Sequence, residues 1–457
     1  MRKHLPCRLA SVLVALSLGA KLHGQAVSPT TATPDATTAV SFGPSLKVPL
    51  GDGTVHYDLN ASEILENGSA FTGTAGWGSM TNAGGDLSYI SGNAALPSSV
   101  LYSGGYLWTN VPGLASTTYQ NITFSQGLVR KAWSVAVSNT FSYLPLSPAF
   151  GISGLPGVGD LGVQTSQAGS GPAPTLLSNF STILADSVTG AVTRSLDYNT
   201  SVFASVQWGT MRFLGQPGLD NTDQTESAGV NRRLNARNTL GVDYAYSSFT
   251  YPGLGNFSFI SQSLNFLATR RWTRAISLSA SIGPQWISSS DAAAFPPQTD
   301  LAAAIAFTYT GEFNSANIGY SRGAMSGLGV MPGGFEDSVQ GSVQQALGRN
   351  WSVAYTASYI RTSGFGSGSY GYPGSNIFGV NAANALIAES TGNIAAEYGG
   401  VQLNRRLATA FSTFVSYTAE NQSYGQSAGA QNALNGFGQF VGIGITFAPR
   451  SKRLGQI

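Results

Sequence analysis

Few side chains in this sequence could support catalysis. Beyond residue 26 the only histidine is His56, and the only cysteine, Cys7, lies before that point. A serine nucleophile needs a histidine to accept its proton, and protein zinc sites combine several cysteines and histidines. The composition therefore excludes thiol chemistry and a multi-histidine metal centre in the exported chain, and it argues against a Ser–His–acid hydrolase.

Four carboxylates near the predicted outer rim are the remaining candidates for chemistry. They are Asp223, Glu226, Glu336 and Asp337. Paired carboxylates can serve a glycosidase, but acids near the outer rim of a pore would instead tune its ion preference. The second interpretation is favoured, because the sequence contains no phosphate-binding loop, metal-ligand spacing or nucleotide fingerprint. We therefore predict no enzyme and no catalytic, cofactor-binding or metal-binding residue.

The first 26 residues have the features of a secretory signal peptide. Arg2, Lys3 and Arg8 make the start basic, residues 9–20 are apolar, and small residues follow up to Ala26. An N-terminal membrane anchor is the alternative, but a helix needs about 20 apolar residues to span a bilayer. Cleavage after Ala26 would lower the basic residues from 23 to 19 against 21 acids. The resulting slight net negative charge argues against a nucleic-acid partner.

The overall composition is unusual for a soluble protein. Charged residues make up 10% of the chain, and the sequence contains 57 glycines. Soluble domains have about 25% charged residues, yet no later apolar run here is long enough for a transmembrane helix. A β-barrel with lipid outside and a polar interior is compatible with all of these features.

Alternation of apolar and small polar residues dominates the chain from about residue 98. In residues 133–144, Trp133 and Val137 fall on one face while Ser134 and Ser142 fall on the other. Because side chains alternate across a strand, such a run predicts one apolar and one polar face. The same alternation recurs in residues 240–247, 276–283, 301–309, 351–359 and 441–447.

A β-sandwich would alternate in a similar way, but two features favour a membrane barrel. The polar faces consist of Ser, Thr, Gly, Ala and Asn rather than Lys and Glu, which suits the wall of a confined interior. The apolar faces also end in aromatic residues, as membrane barrels do where they cross the lipid–water interfaces. These residues are Trp133, Tyr143, Trp286, Tyr309, Trp351, Tyr359 and Phe447.

We therefore predict an all-β fold, a transmembrane antiparallel up-and-down β-barrel of about 16 strands, with about 14 to 18 allowed. Short turns carrying arginine, several of them with a basic pair as in residues 230–242 and 403–411, all fall on one side together with both chain ends, as periplasmic turns should. The predicted strands are 98–108, 116–129, 132–144, 186–196, 200–213, 222–233, 237–250, 257–270, 274–287, 299–310, 314–322, 337–347, 351–362, 391–404, 408–420 and 436–447.

The predicted organisation has four parts. Residues 1–26 are the signal peptide, 27–97 a disordered or partly ordered periplasmic leader or plug, 98–450 the outer-membrane barrel and 451–457 a periplasmic tail. The two longest connections, 145–185 and 363–390, are rich in Gly and Ser and are expected to be extracellular loops or a constriction within the lumen. Tyr370 and Tyr372 in the second could stack on sugar rings, but mobile surface loops are the favoured interpretation.

With the strands in place, the chain resembles uncharacterised porin-like outer-membrane β-barrel proteins of Acidobacteria type. The resemblance extends over residues 75–450 and implies a location in the cell outer membrane, with a hint of glycan export. One departure is that residues 448–457 follow Phe447, whereas many outer-membrane barrels end on an aromatic residue that the assembly machinery recognises. The resemblance is carried by GDLSYISGN (85–93), LYSGGYLW (101–108), ATRRWTRAISLSASIGPQW (268–286), VQQALGRNWSVAYTASY (343–359) and VGIGITF (441–447).

Two functional classes follow from these features. A barrel of this width can enclose an aqueous channel, and its sparsely charged lumen would pass small neutral or weakly charged solutes, including saccharides. The alternative is a surface or assembly barrel with a plugged lumen, either an exopolysaccharide export accessory or an adhesin-like binder. The expected partners are outer-membrane lipid and lipopolysaccharide, the barrel assembly machinery, a glycan or small solute, and further copies in a homotrimer, without nucleic acid.

Overall fold

The structure is a computed structural model. It describes the parts of the chain in which the strands lie, and the predicted signal peptide falls outside them. The described residues are 53–67, 77–110, 116–145, 182–214, 220–292, 295–326, 333–365, 393–424, 436–449 and 452–453.

The described residues form one closed antiparallel β-barrel of eighteen strands, with a two-residue strand added at the seam. Each strand pairs with the next one in sequence, and β1 pairs with β18 to close the cylinder. The strands are β1 (Gly53–Asn67), β2 (Gly78–Ser91), β3 (Ser98–Thr109), β4 (Thr117–Arg130), β5 (Trp133–Pro145), β6 (Thr182–Ser195), β7 (Thr200–Leu214), β8 (Asn221–Arg233), β9 (Asn238–Tyr251), β10 (Phe257–Arg271), β11 (Ile276–Ser289), β12 (Gln298–Thr310), β13 (Asn314–Met325), β14 (Gly334–Ala346), β15 (Trp351–Gly364), β16 (Asn393–Arg406), β17 (Phe411–Tyr424), β18 (Gly436–Phe447) and β19 (Lys452–Arg453).

All sixteen predicted strands are confirmed, including those predicted at 186–196 and 314–322. The prediction for residues 27–97 is wrong in its second half, because β1 and β2 belong to the barrel and His56 lies in β1. The outward positions of these two strands include Ala61 and Glu63, so their alternation is weaker than in later strands. Part of the predicted tail also joins the sheet, because β19 pairs with the start of β1.

The two ends of the barrel differ in the length of their connections. At one end, here the short-turn end, eight connections of two to six residues join the strands, and both β1 and β18 have their outer termini there. At the other end, the long-loop end, the connections range from residues 252–256 to residues 146–181. Bacterial barrels have short periplasmic turns, so the short-turn end is periplasmic, as predicted.

Five of the periplasmic turns share one backbone geometry. In each, the residue after a strand donates its amide N–H to the carbonyl oxygen of the residue four positions later. In three of them a side-chain oxygen at the second position accepts the amides two and three residues ahead, which offsets the loss of strand pairing in the turn. These three residues are Asp197, Asn235 and Thr273.

The turn at Asp197 should make barrel stability depend on pH. Its carboxylate accepts the amides of Asn199 and Thr200 at 2.6 and 2.7 Å. Hydrogen bonding by the Asn199 amide, with further bonds from Thr200, lowers the pKa of the Asp197 carboxyl below its ordinary value. Because the folded-state pKa is depressed, the stabilisation is present above the unfolded pKa and is lost as pH falls through the folded one.

We therefore expect Asp197→Ala to lower the urea midpoint of the barrel in detergent at neutral pH and to converge with the parent in acid. Asp197→Asn keeps an oxygen acceptor without the charge and serves as the control, with a smaller dependence on pH. An equal loss in Asp197→Ala at both pH values would contradict this account.

Glycines allow one large side chain to lie flat on the inner wall. Tyr119 of β4 is 1% exposed and extends across β3 towards β2. A Cβ atom on Gly105 would lie 2.6 Å from the Tyr119 hydroxyl and 2.5 Å from the carbonyl oxygen of Ala83. A Cβ atom on the paired glycine Gly84 would lie closer still to the same hydroxyl, so the ring occupies space that a side chain at either position would fill.

Gly105→Ala should therefore destabilise the barrel by about 1–3 kcal/mol through overpacking. Gly399→Ala is the matched control, because a Cβ atom at that strand position would meet nothing within 4 Å. Urea unfolding in detergent, followed by tryptophan fluorescence, measures both variants. Equal midpoints for the two would show that the wall yields around Tyr119.

Candidate functional site

The outer surface carries the apolar belt that the sequence predicts. Large apolar side chains are exposed on each of the eighteen strands, and only β6, β8, β13, β14 and β16 have a single one among the described residues. Within the described residues, no helix has the length and apolarity needed to cross a membrane. At the periplasmic end, Arg194 and Arg405 each lie 5.0 Å above the rings of Trp133 and Trp351. The chain is thus an outer-membrane β-barrel with aromatic residues at the lipid interface.

The inner wall is polar over much of its surface. Serine and threonine hydroxyls hydrogen-bond directly between neighbouring strands, as at Ser205 and Ser227, 2.7 Å apart. Asn82 donates to Asn60 at 3.0 Å between β2 and β1. The other hydroxyl pairs on this face join Ser99 to Ser125, Thr123 to Thr140 and Thr225 to Ser247. The predicted division into an apolar outside and a hydroxyl-bearing inside is present.

An aromatic cluster interrupts this polar wall at the long-loop end. Phe249 of β9 stacks on Phe259 of β10 with ring centroids 4.6 Å apart. Both are inward-facing, because they alternate with outward residues such as Tyr244 and Phe266. The remaining members of the cluster are Tyr251, Phe257, Ile287, Phe295, Phe335 and Phe365.

Two members of the cluster come from distant strands. Phe365 follows β15, and its ring lies 4.9 Å from that of Phe259 and 5.1 Å from that of Phe335. Phe335 lies four residues before Val339, which is exposed on the outer surface, so both belong to the outward face of β14. An outward residue of β14 therefore contacts an inner-wall cluster, which requires the end of β14 to lie on the lumen side of β9–β11.

The pairing between β12 and β13 confirms this overlap. The ladder stops at Ala303 and Arg322, although β12 extends back to Gln298 and β13 extends on to Met325. Beyond this point β13, β14 and β15 turn into the lumen and pack their outward faces on the inward faces of β9–β12. We call these strand ends, residues 323–326, 333–336 and 362–365, the inner flap.

Arg322 fastens the inner flap to the wall. Its guanidinium donates to Asp300 of β12 at 2.7 Å and to both oxygens of Asp337 at 2.8 and 2.9 Å. The Tyr320 hydroxyl donates to Asp337 at 2.9 Å. The side chains of the two ion pairs are less than a third exposed, which limits their screening by solvent.

Three further contacts hold the inner flap. The Tyr251 hydroxyl donates to the carbonyl oxygen of Ser326 at 2.6 Å, and the Gln298 side-chain amide donates to that of Phe365. Gly333 has a φ of 90°, a conformation that favours glycine, and its Cα hydrogens face the ring of Phe259. Polar tethers thus surround the aromatic contact, and together they narrow the lumen at its extracellular end.

The four candidate carboxylates lie on different faces of the barrel wall. Asp223 is inward and buried, whereas Glu226 is on the outward face of the same strand and accepts a hydrogen bond from Gln224 at 2.6 Å. Glu336 and Asp337 are neighbours on β14 and therefore face opposite sides of the sheet. Of these two residues, Asp337 binds Arg322 next to the inner flap, whereas Glu336 ends the flap on the other face of the strand. Tyr370 and Tyr372 lie outside the described residues.

Sequence reasoning missed the residues that hold the flap. Arg322 could have been noticed, because it is one of three basic residues near the long-loop end, with Arg212 and Arg361. Its pairing with Asp337 follows from the β13–β14 register, which the strand prediction already contained in outline. The contact with Asp300 could not be found, since it depends on the overlap.

Comparison with known proteins finds a distant likeness in fold. No model of a protein family matches this sequence, and no curated protein does. The outer membrane protein opdK of Pseudomonas aeruginosa is similar over 88% of this chain and 99% of its own, with 11% identity and a TM-score of 0.43. OccK2 (OpdF) of the same organism matches over 88% and 98%, with 10% identity and a TM-score of 0.42. A structure of OpdK with vanillate matches over 87% and 99%, with 11% identity and a TM-score of 0.42.

Removing the Arg322 charge should loosen the inner flap without unfolding the barrel. Arg322→Gln leaves Asp300 and Asp337 facing each other without a cation. It should lower the free energy that holds the inner flap against the wall by about 1–2 kcal/mol. Amide hydrogens of residues 323–326 and 333–336 should then exchange about 5–30 times faster. Arg212→Gln, at an exposed arginine on the outward face of β7, is the control. Unchanged exchange in Arg322→Gln would mean that the aromatic contacts alone hold the flap.

Proposed function

We propose that this chain is a porin-like passive channel of the outer membrane for small neutral or weakly charged solutes, saccharides among them. The observation that carries the proposal is the closed barrel of eighteen strands with hydroxyl-bearing side chains on its inner wall. Barrels of 16 to 18 strands leave an aqueous channel, whereas barrels of about 8 strands are filled by side chains. Hydroxyl and amide groups on the wall can exchange hydrogen bonds with a sugar at little cost.

The inner flap supports a selective channel over an unobstructed pore. It brings Arg322 and the carboxylates of Asp300 and Asp337 into the narrowed part of the lumen beside a wall of aromatic rings. A solute that passes this point must lose part of its hydration and contact both kinds of group. Selection by size and polarity would therefore take place at the inner flap rather than along the whole wall.

A plugged barrel that serves surface binding or export of exopolysaccharide is the second candidate. It is favoured by the deep burial of several inner-wall residues, such as Asn82 and Met80, both at 0% exposure. A wide aqueous channel would leave such side chains partly hydrated. For either candidate we also propose kinship with outer-membrane barrels of Acidobacteria type. The proposed partners are lipopolysaccharide, the barrel assembly machinery and further copies in a homotrimer. No catalytic activity is assigned to the chain.

Conductance separates the two candidates. Detergent-extracted protein inserted into planar bilayers should give stepwise currents, and liposomes that contain it should swell in neutral sugars. Phe335→Ala should remove about 3 kcal/mol of packing from the inner flap, which shifts the population of the open arrangement by about a hundredfold and raises the conductance. Phe266→Ala, on the lipid-facing side of β10 at 58% exposure, is the matched control.

A barrel that remains silent in both assays, in the parent and in Phe335→Ala alike, would overturn the channel and support the plugged barrel. The folded state is checked independently by heat-modifiable migration on a gel. Conductance that is equal in all three proteins would keep the channel but remove the inner flap from its control.

A further inference from the structure

Two glutamates lie close together on the inner wall beside the seam of the barrel. Glu66 is in β1 and pairs with Phe440 of β18, while Glu420 is in β17 and pairs with Gly438 of the same strand. They therefore lie on opposite sides of β18, and their pairing positions on that strand are two residues apart. The two carboxylates are near enough to repel each other.

Both carboxylates are buried and unpartnered. Each glutamate is 1% exposed, and none of the four oxygen atoms accepts a hydrogen bond. Burying one ionised carboxylate without a partner costs several kcal/mol, and a second one beside it adds repulsion. Asn60 and Asn82 on the same wall share one hydrogen bond, whereas neither glutamate carboxylate accepts any. The two glutamates therefore require a positive charge or a shared proton.

The described strands next to the two glutamates offer no basic side chain for this role. None of the nine connections at that end contains a lysine or an arginine in its sequence. Among the described residues, β2, β17 and β18 carry no basic side chain, and those of β16 are at the opposite, periplasmic end. The basic residues nearest the long-loop end, Arg212, Arg322 and Arg361, belong to β7, β13 and β15. A neutralising charge must therefore come from outside these elements.

The wall leaves room for an ion between the two carboxylates. Each glutamate has one cross-strand neighbour without a side chain, Gly78 on β2 beside Glu66 and Gly438 on β18 beside Glu420, and one aromatic neighbour, Phe440 and Tyr398 respectively. Thr418 and Gln422, two residues to either side of Glu420, share its face of β17 and provide oxygen atoms next to the space. Carboxylate, amide and hydroxyl oxygens with added water are the ligands that calcium prefers.

We propose that Glu66 and Glu420 bind one hard divalent cation, Ca²⁺ in the simplest case, inside the extracellular end of the barrel. The described residues contain no cluster of three or more acidic, histidine or cysteine side chains, so two carboxylates supply the protein charge and water completes the coordination. The ion would link β1 to β17 across β18 and so fasten the barrel where its first and last strands meet.

The experiment compares calcium with chelator for the full chain folded in detergent. Isothermal titration calorimetry with CaCl₂ should give one site per chain, and calcium should raise the unfolding temperature by about 2–4 °C relative to EDTA. Glu66→Gln and Glu420→Gln should each abolish the rise. In EDTA both variants should be at least as stable as the parent, because each removes the repulsion.

Glu397→Gln is the matched control, because Glu397 is exposed on the outward face of β16. This variant should still bind calcium at one site in calorimetry, and calcium should still raise its unfolding temperature. The proposal is overturned if the parent binds no calcium, or if both glutamine variants bind it as the parent does. A protonated-carboxyl band in the infrared spectrum of the parent that disappears in Glu420→Gln would then assign a shared proton instead.

Discussion

The need to pair every backbone N–H and C=O inside a lipid layer governs this structure. Hydrocarbon offers no hydrogen-bond partner, so a sheet in the membrane must close on itself. The pairing of β1 with β18 meets that need, from Leu59 with Phe447 to Asn67 with Gln439. Once the sheet is closed, each strand has one face in lipid and one in the lumen, which produces the alternation seen in the sequence.

The same constraint explains what the sequence could predict. Strands with apolar residues at every second outward position, such as β5 and β15, were located to within one or two residues. In β1 and β2 the outward face includes Ala61, Glu63 and Thr81, and Thr81 donates a hydrogen bond to Glu63. Closure requires only backbone pairing, so these strands can belong to the barrel without a strong apolar face, and periodicity alone does not reveal them.

The inner flap lies beyond sequence prediction for a different reason. Alternation assigns Phe335 and Arg322 to the outward face, and their positions along β14 and β13 agree with that assignment. Alternation does not predict what this face packs against. Because the β12–β13 ladder ends at Ala303 and Arg322, the face beyond that point contacts the inner wall instead of lipid. A local separation of two strands depends on tertiary contacts with β9–β11, and nothing in the spacing of residues on one strand records it.

The charged residues are unevenly distributed along the barrel axis. The basic residues gather in the periplasmic turns, where guanidinium groups cover aromatic rings, whereas the extracellular connections contain none. Of the basic residues near the long-loop end, Arg322 is the one seen to neutralise acids, and it holds Asp300 and Asp337. Glu66 and Glu420, on the inner wall beside the seam, have no such partner. The two sites thus present the same physical problem, which is the burial of carboxylates near a narrow lumen. At one site the guanidinium of Arg322 neutralises them, and at the other a cation from solution is required.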